Sequence, residues 1–492
     1  MRMQARRQPR PRGRGRGCLQ WAGDGCDRYI KCSNIAIIYW HPTLISLVSV
    51  TCVTNSPPIA DSPAYLSQLL QESREGFEVQ PIGLADMPSW HWHNGALSHV
   101  SGGFFSVVGV RFDPACGVPG RRDGVYLYQP QSAFNGLLMC EMDGEQHFLL
   151  QARAEPGNVG KAQFGPTVQS TPANYLRVHG GKTTPYFEWF STFRPDVRVS
   201  HDSVQLDLGG RYLFKSKRVV VAQCPANIAV QEGFAWVPAR LLNAAVAQST
   251  FLNTDLRALL GVCAWGKQPG GLVPVNALVQ RSSSLPLRPD AVADVVQALQ
   301  CQGAAAYAWH DIAQMPGWRV SGDGIHEVSG AQGFDVGYFA VEARRREVAR
   351  WQQPLIRSRS QGCARLLCRE VVGALEVLVQ VGAEPGLQTG RALLPSYLRY
   401  PGAAGDDAGV SGNVLLSTLE SDEGGRFFQD ASVYEVVLVG ADFAAPQGRW
   451  LRVSELKWLL ACSNFCTIQL RVLASMLLGH LGHPGERAEH NL

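Results

Sequence analysis

Several signatures that would settle the chemistry are missing from this chain. Its thirteen cysteines include no Cys-x-x-Cys pair, and their number is odd. That excludes a paired zinc motif and argues against a disulfide framework. Thiols scattered in this way read as small buried side chains in a reducing, cytoplasmic compartment. The glycine-rich stretch Gly402–Gly412 has no Gly-Lys-Ser/Thr and no helix to follow, so it reads as a linker and not a phosphate loop. No apolar run reaches the roughly 20 residues a spanning helix needs; residues 34–54 come nearest, and His41 and Pro42 break them. Charge is sparse too, at 17% of residues against 46% hydrophobic. This is the balance of a globular protein and excludes disorder as the main state.

The formal charge of +4 hides an asymmetry. Residues 1–60 hold nine Lys/Arg against two Asp, so the rest of the chain is mildly acidic. A general nucleic-acid footprint is therefore excluded for the body. The basic stretch reads as a disordered extension, with nothing catalytic expected in it, and the folded chain is expected to start near Asp61. With 492 residues, two or three domains are expected.

What the chain does contain is an internal repeat. Leu137–Gly157 reads LLMCEMDGEQHFLLQARAEPG, and Leu366–Gly386, 229 positions later, reads LLCREVVGALEVLVQVGAEPG; ten of 21 residues are identical. Val100-Ser101-Gly102 matches Val328-Ser329-Gly330, Gln129-Pro130 matches Gln353-Pro354, and Gly209–Tyr212 matches Gly424–Phe427. Trp236–Leu260 matches Trp450–Ala474. Units of this length are complete domains, not solenoid repeats. The expected division is residues 1–60 as extension, 61–270 and 271–480 as the two copies, and 481–492 as a tail. Alternating or wholly apolar runs predict strands over Phe104–Val110, Gly136–Cys140, His147–Arg153, Val219–Gln223, Leu366–Arg369, Leu375–Val381 and Val433–Val439. Asp143-Gly144 marks a hairpin. Each copy closes on helices, over Pro238–Val246 and Thr254–Leu260, then Val453–Ala461 and Ile468–Leu478. Strands first and helices last give an α+β class, each copy a mixed sheet with flanking helices.

The copies differ in one segment. From Gly157 to Gly209 is 52 residues, and from Gly386 to Gly424 only 38. The longer version, Gly165 to Lys182 and then Pro185–Phe190, is dense in polar and loop-forming residues, whereas the shorter keeps Leu394–Arg399. Function concentrates in loops held by a rigid scaffold, which points to the first copy.

At these residues the sequence resembles the NDP-hexose 2,3-dehydratases of deoxysugar biosynthesis. The carrying strings are Ser98–Val107, Asp143-Gly144 through Leu150–Asn158, Gly165-Pro-Thr-Val-Gln169 with Asn174-Tyr175 and Arg177-Val-His179, and Pro185–Phe190. In the second half they are Arg346-Glu347, Trp351–Leu355, Glu423–Phe427 and Trp450 with Leu470-Arg471. The resemblance implies two tandem Nudix-like domains with a sugar-nucleotide pocket in each, and a homodimer without a redox cofactor. It also implies loss of water across C2–C3 of a dTDP-4-keto-6-deoxy-glucose, and coupling to a 3-ketoreductase. The second half departs from the family pattern, with Leu394-Pro395-Ser396-Tyr397-Leu398 where Gly-Pro-Thr-Val-Gln is usual.

Such an elimination needs a base for the C3 proton, donors for the C4 enolate oxygen, and an acid for the departing hydroxyl. His179 and Tyr175 lie in the loop that only the first copy keeps, and both are expected to take part. Glu155 is a candidate base, although Glu384 survives in the shortened copy, which favours a scaffold role. Arg153, Arg177, Lys182 and Arg211 are candidates for the diphosphate; the recurrence of Arg211 as Arg426 leaves room for a carboxylate partner in each copy. Thr167, Gln169 and Asn174 suit sugar hydroxyls or the thymine edge, with Gln151 and Asn158 grouped beside them. Trp92 and Tyr186 could stack on the base, or pack in the core. No metal is expected: the string from Arg369-Glu370 to Glu376 has a hairpin glycine where a magnesium-binding hydrolase helix would need carboxylates. A non-catalytic sugar-nucleotide-binding duplicate is the competing reading.

Overall fold

The hairpin signal is where the chain turns. Asp143 and Gly144 both have positive φ, 51° and 77°, and fold Ala133–Met142 back on Glu145–Ala154. Val372 and Gly373 repeat the turn between Gly362–Val371 and Ala374–Ala383. Two positive-φ residues match the right-handed twist of the strands they join. Arg369 and Glu376 pair across this second hairpin at 2.8 Å, on strands and not on a metal-binding helix.

The computed structural model describes residues 59–113, 123–178, 180, 182–192, 194–263, 277–300, 307–387, 390–405, 409–445 and 447–479. The expected N-terminal extension falls outside them up to residue 58, as does the tail 481–492. Among the described residues no helix is long and apolar enough to cross a membrane.

The architecture is mixed α/β, built on four sheets. One seven-stranded sheet runs Arg198–Leu206, Ser216–Gln223, Ala133–Met142, Glu145–Ala154, Phe234–Pro238. A second runs Asn413–Ser421, Ala431–Leu438, Gly362–Val371, Ala374–Ala383, with Arg449–Arg452 on the last of these. Both have one parallel pair at the same place, Lys217 opposite Ala133 and Ser432 opposite Gly362. Both bulge at the same point, after Val199 and after Val414.

Two smaller sheets are knitted between the halves. Phe77–Pro81 pairs with Phe334–Ala343 of the second half, and Tyr307–His310 pairs with Ser106–Phe112 of the first. Residues from Ser56 onward form one compact unit. The register also corrects one sequence match. Tyr212 pairs with Leu127, and its equivalent Phe427 bridges Ile356. Gln129 therefore corresponds to Ser358, and the likeness of Gln129-Pro130 to Gln353-Pro354 is a slip of five positions.

The closing helices meet along the line between the halves. Thr254–Leu260 and Ile468–Leu478 are buried throughout. Each starts on a side-chain cap, Asn253 accepting from the Leu256 N–H and Thr467 from the Leu470 N–H. Buried Arg257 reaches Glu420 of the other half at 2.8 Å, and its equivalent Arg471 reaches Gln205 at 3.2 Å. The recurring Ala-Glu-Pro-Gly has the same origin. The Gly157 N–H donates to the Gly424 carbonyl and the Gly386 N–H to the Gly209 carbonyl, both at 2.7 Å. A side chain on either Gly157 or Gly386 would collide with backbone of the other half, 1.5 and 1.6 Å from a carbonyl oxygen.

Candidate active site

The backbone crossing at Gly157 and Gly424 brings Glu423–Arg426 of the second half over the strand ends of the first. The turn between Phe334–Ala343 and Arg350–Ser358 comes in beside them. Between these walls lies a cavity of about 420 Å³, within the range of small-ligand sites. Trp90, His99, Phe104 and Phe105 form an aromatic side, and Gln169, Ser170, Thr171 and Asn174 a polar rim. The second half supplies Arg346, Glu347, Arg350, Trp351, Glu423 and Arg426.

At one end, strand alternation places Gln151, Arg153 and Glu155 on one face. The Arg153 Nε donates to Glu155 at 2.9 Å, and its Nη1 to Gln151 at 3.3 Å. Arg346 pairs with Glu347 at 3.2 Å and donates to the Ala154 carbonyl at 2.6 Å. Burial works against the Glu347 carboxylate, but Arg346 and Arg153 outweigh it and hold its pKa down at about 2. The two guanidiniums and two carboxylates of this end are therefore mutually neutralised.

The floor is a second cluster. Lys217 lies within 2.6 Å of Asp255, 3.0 Å of Glu423 and 3.1 Å of Asp207. Lys215 adds contacts to Glu423 at 2.7 Å and Asp207 at 3.2 Å. Asp255 sits in the first turn of its helix and also accepts from Asn135 Nδ2 at 3.0 Å. Burial favours a neutral lysine here, but the three carboxylates hold Lys217 charged, well above its ordinary range. Burial raises the Asp255 carboxyl, and Lys217 only partly offsets this while Glu423 and Asp207 add to it. Glu423 goes the other way: burial is overcome by Lys215, Lys217 and Arg426, which keep it ionised.

Arg426 differs from the other cavity cations. It packs over the Phe105 ring at 4.1 Å and donates to Gln129 Oε1 at 3.3 Å and to the Gly425 carbonyl at 2.6 Å. Among the described residues it has no ion pair, and its Nε is buried without a hydrogen-bond partner. Arg350 lies at the edge, paired with exposed Glu342 at 3.1 Å.

Of the residues expected from sequence, Glu155, Arg153, Gln169 and Asn174 line this cavity. His179 lies outside the described residues. Tyr175 lies away from it, because its ring stacks on Phe187 at 4.5 Å. Thr167 is spent on backbone, bridging the Leu138 N–H and the Leu149 carbonyl at 2.9 and 2.5 Å. Gln151 steadies Arg153 from behind, and Asn158 is buried against Gly424. Arg177 and Lys182 are exposed and off the lining, although the Lys182 N–H reaches the Glu347 carbonyl at 3.4 Å. Tyr186 is a core residue whose hydroxyl donates to the Ala229 carbonyl at 3.0 Å. Trp92 packs beside the main core and does not line the cavity.

Arg211 belongs to the equivalent place in the second half; among the described residues it has no ion pair, although Asp430 and Asp422 lie near enough to feel its charge. It donates to the Pro401 carbonyl and lies over Phe334 at 4.5 Å. That place is filled. The Tyr400 hydroxyl donates to Glu384 at 2.6 Å and accepts the Gly210 N–H at 3.2 Å. A Cβ on Gly210 would fall 2.7 Å from the Tyr400 ring, whereas one on Gly425, its equivalent at the cavity, would meet nothing nearer than 3.9 Å.

Sequence alone does not single out Asp255, Lys217 or Asn135: Asp255 falls within the expected helix Thr254–Leu260, and Lys217 and Asn135 lie just outside the expected strands Val219–Gln223 and Gly136–Cys140. Position-by-position comparison of the copies would have found them. Their equivalents are Gln469, Ser432 and Ala364; Arg153 becomes Gly382, and Gln169 becomes Leu398.

The sequence profile of the family described as NDP-hexose 2,3-dehydratase matches residues 64–263 and again 292–477. Three similar proteins are each named dTDP-4-dehydro-6-deoxy-alpha-D-glucopyranose 2,3-dehydratase. The one from Streptomyces violaceoruber is 30% identical, covering 81% of this chain and 92% of its own. That from Saccharopolyspora spinosa is 28% identical over 85% and 91%, and that from Amycolatopsis orientalis 27% over 83% and 88%.

Proposed function

We propose that this chain, which belongs to the NDP-hexose 2,3-dehydratase family, removes water across C2 and C3 of dTDP-4-keto-6-deoxy-D-glucose in the cavity of its first half. The product is a dTDP-3,4-diketo-2,6-dideoxy sugar. The observation that carries this reading is the lining itself: a buried acid–base cluster at the floor, and a guanidinium at the wall with no carboxylate of its own. The C4 ketone acidifies the C3 proton, so the enzyme needs a base there and positive charge near the developing enolate. No redox step occurs, and no cofactor is called for.

Arg426 is the cation best placed to take the substrate diphosphate, since pairing with it breaks no existing ion pair. Arg153 and Arg346, each committed to glutamates, orient rather than neutralise. Gln169 and Asn174 offer amides to sugar hydroxyls or to the thymine edge. The flat faces of Trp90 and Phe105 suit the base.

The wider reading has each half, 61–270 and 271–480, as a copy of a Nudix-like unit, joined by duplication. The shared strand order and bulge positions support it. The active form is a homodimer in the cytoplasm, and a 3-ketoreductase consumes its unstable diketone. Buried unpaired thiols such as Cys140, Cys368 and Cys466 support a reducing compartment.

The test is incubation of the full chain with dTDP-4-keto-6-deoxy-glucose, NADPH and a 3-ketoreductase as trap. A species that has lost one water and gained one hydride is expected by mass. Unchanged substrate, with dTDP still bound, would instead favour a non-catalytic sugar-nucleotide-binding protein.

A further inference from the structure

We infer that Asp255 is the catalytic base for the C3 proton, with Lys217 as the cation that faces the enolate oxygen. This rests on the dehydratase reading above. Three observations lead to it, and the first is how the carboxylate is held. Lys217 Nζ and Asn135 Nδ2 both converge on Oδ1, at 2.6 and 3.0 Å. Oδ2 has no hydrogen-bond partner among the described residues, while Asp255 itself lines the cavity. One oxygen is fixed and the other is left to the ligand, as a positioned base requires.

The second observation is the company it keeps. A carboxylate that is 3% exposed in a polar but enclosed floor is a stronger base than one in water. Beside it, the Lys217 ammonium is held charged by Asp207 and Glu423 as well as by Asp255. It therefore remains a cation when Asp255 takes up a proton, and can stabilise negative charge on O4.

The third is the comparison between halves. The filled second half keeps Glu384 for Glu155 but has Gln469, Ser432 and Ala364 for Asp255, Lys217 and Asn135. Base, cation and orienting amide are lost together, where the cavity is lost. Glu155 is also already engaged by two guanidiniums, Arg153 at 2.9 Å and Arg346 at 4.0 Å, so its carboxylate is taken up by partners within the protein.

The step balances without any added reagent. The Asp255 carboxylate takes the C3 proton, and the C–H electron pair forms the C3=C4 enolate with charge on O4. The enolate reforms the C4 ketone, C2=C3 forms, and the C2–O bond breaks. In a gluco-configured sugar the C3 hydrogen and the C2 hydroxyl lie on the same face. The proton held by Asp255 is therefore the one the departing hydroxyl takes, leaving as water. The resulting C3 enol tautomerises to the diketone.

The experiment separates proton removal from elimination. The dTDP-4-keto-2,6-dideoxy analogue has no C2 hydroxyl to lose, so in D2O it reports only exchange at C3, read by NMR. Wild type is expected to exchange deuterium into C3. Asp255→Asn is expected to slow both this exchange and turnover of the true substrate at least about 100-fold, the typical worth of a general base, with dTDP affinity within about threefold. Glu155→Gln, which keeps an acceptor for Arg153, should slow exchange far less than Asp255→Asn does. Asp255→Gln is the second variant, because the equivalent helix carries Gln469. Wild-type exchange in a folded Asp255 variant, or its loss in Glu155→Gln alone, overturns the assignment. A wild-type chain that binds dTDP but does not turn over would overturn the dehydratase reading itself.

Discussion

Two places in this molecule are framed by equivalent strands and have opposite contents. In the first half, Thr171 and Gly425 border open space above a floor of Lys217, Asp255 and Glu423. In the second, Tyr400 stands where Thr171 does, presses on Gly210 and closes on Glu384. Further out, the Gly333 and Gly402 backbones touch, so that a Cβ on either would be within 2.0 Å of the other's carbonyl oxygen. The equivalent residues at the open site are Phe104 and Ala173, which carry side chains. The charge inventory differs as well. Asp207 in the first half has two lysines; its equivalent Asp422 faces Asp430 where Lys215 would be, with only Arg211 to offset it. Of the two equivalent places, one holds a cavity with paired charges and the other is packed shut. The second half still contributes to the cavity, as the wall that carries Arg346, Glu347 and Arg426.

The equivalent arginines give the largest contrast. Arg426→Met is expected to raise KM about 10- to 100-fold, as loss of a charge-assisted bond to a diphosphate should, and also to lower the unfolding midpoint, since it strips donors from the Gly425 carbonyl and Gln129. Arg211→Met should cost about 2–3 kcal/mol in a urea titration because it strips a donor from a buried carbonyl, but should leave KM alone. Equal effects on KM would break the distinction between an open and a closed site.

The glycines sharpen the same contrast at smaller scale. Gly210→Ala drives a methyl into the Tyr400 ring and should cost about 1–3 kcal/mol. Gly425→Ala has room and should fold normally, but its methyl enters the cavity and should weaken substrate binding a few-fold. Denaturant curves and KM read the two outcomes.

The uncompensated acids should make stability fall with rising pH. Burial, with the charge of Asp430, lifts Asp422 to about 8; burial alone leads the rise of Glu384 to about 7. Both hold their protons more tightly folded than unfolded. Their contribution is therefore full below about pH 4 and is lost progressively as pH rises to about 8. Asp422→Asn should leave stability at pH 4 nearly unchanged and raise it by on the order of 5 kcal/mol at pH 8.5. Unfolding curves at the two pH values decide. The smallest effect is expected from Tyr175→Phe, whose ring stacking on Phe187 survives; turnover should stay within about twofold of wild type.

Much of the scaffold was legible in sequence. The spans Thr254–Leu260, Val453–Ala461 and Ile468–Leu478 were expected and appear unchanged, because apolar periodicity and capping residues act locally. The exchange of Phe77–Pro81 and Tyr307–His310 was not legible, since nothing in a short strand states which half it will join. The same limit hid the second-half wall of the cavity. Asp255 was hidden for a different reason: in a helix with seven buried residues it is one of three polar positions, with Thr254 and Arg257, and nothing local marks it until Gln469 is set beside it. Loop length alone does not place Tyr175 at the cavity. That loop does supply Asn174 to the rim, but it packs Tyr175 inward against Phe187.

The most direct test is the number of nucleotide sites. Calorimetric titration of the full chain with dTDP should give one site per chain, weakened by Arg426→Met and untouched by Arg211→Met. Two equivalent sites per chain would contradict the contrast, drawn among the described residues, between an open first-half cavity and a closed second-half place.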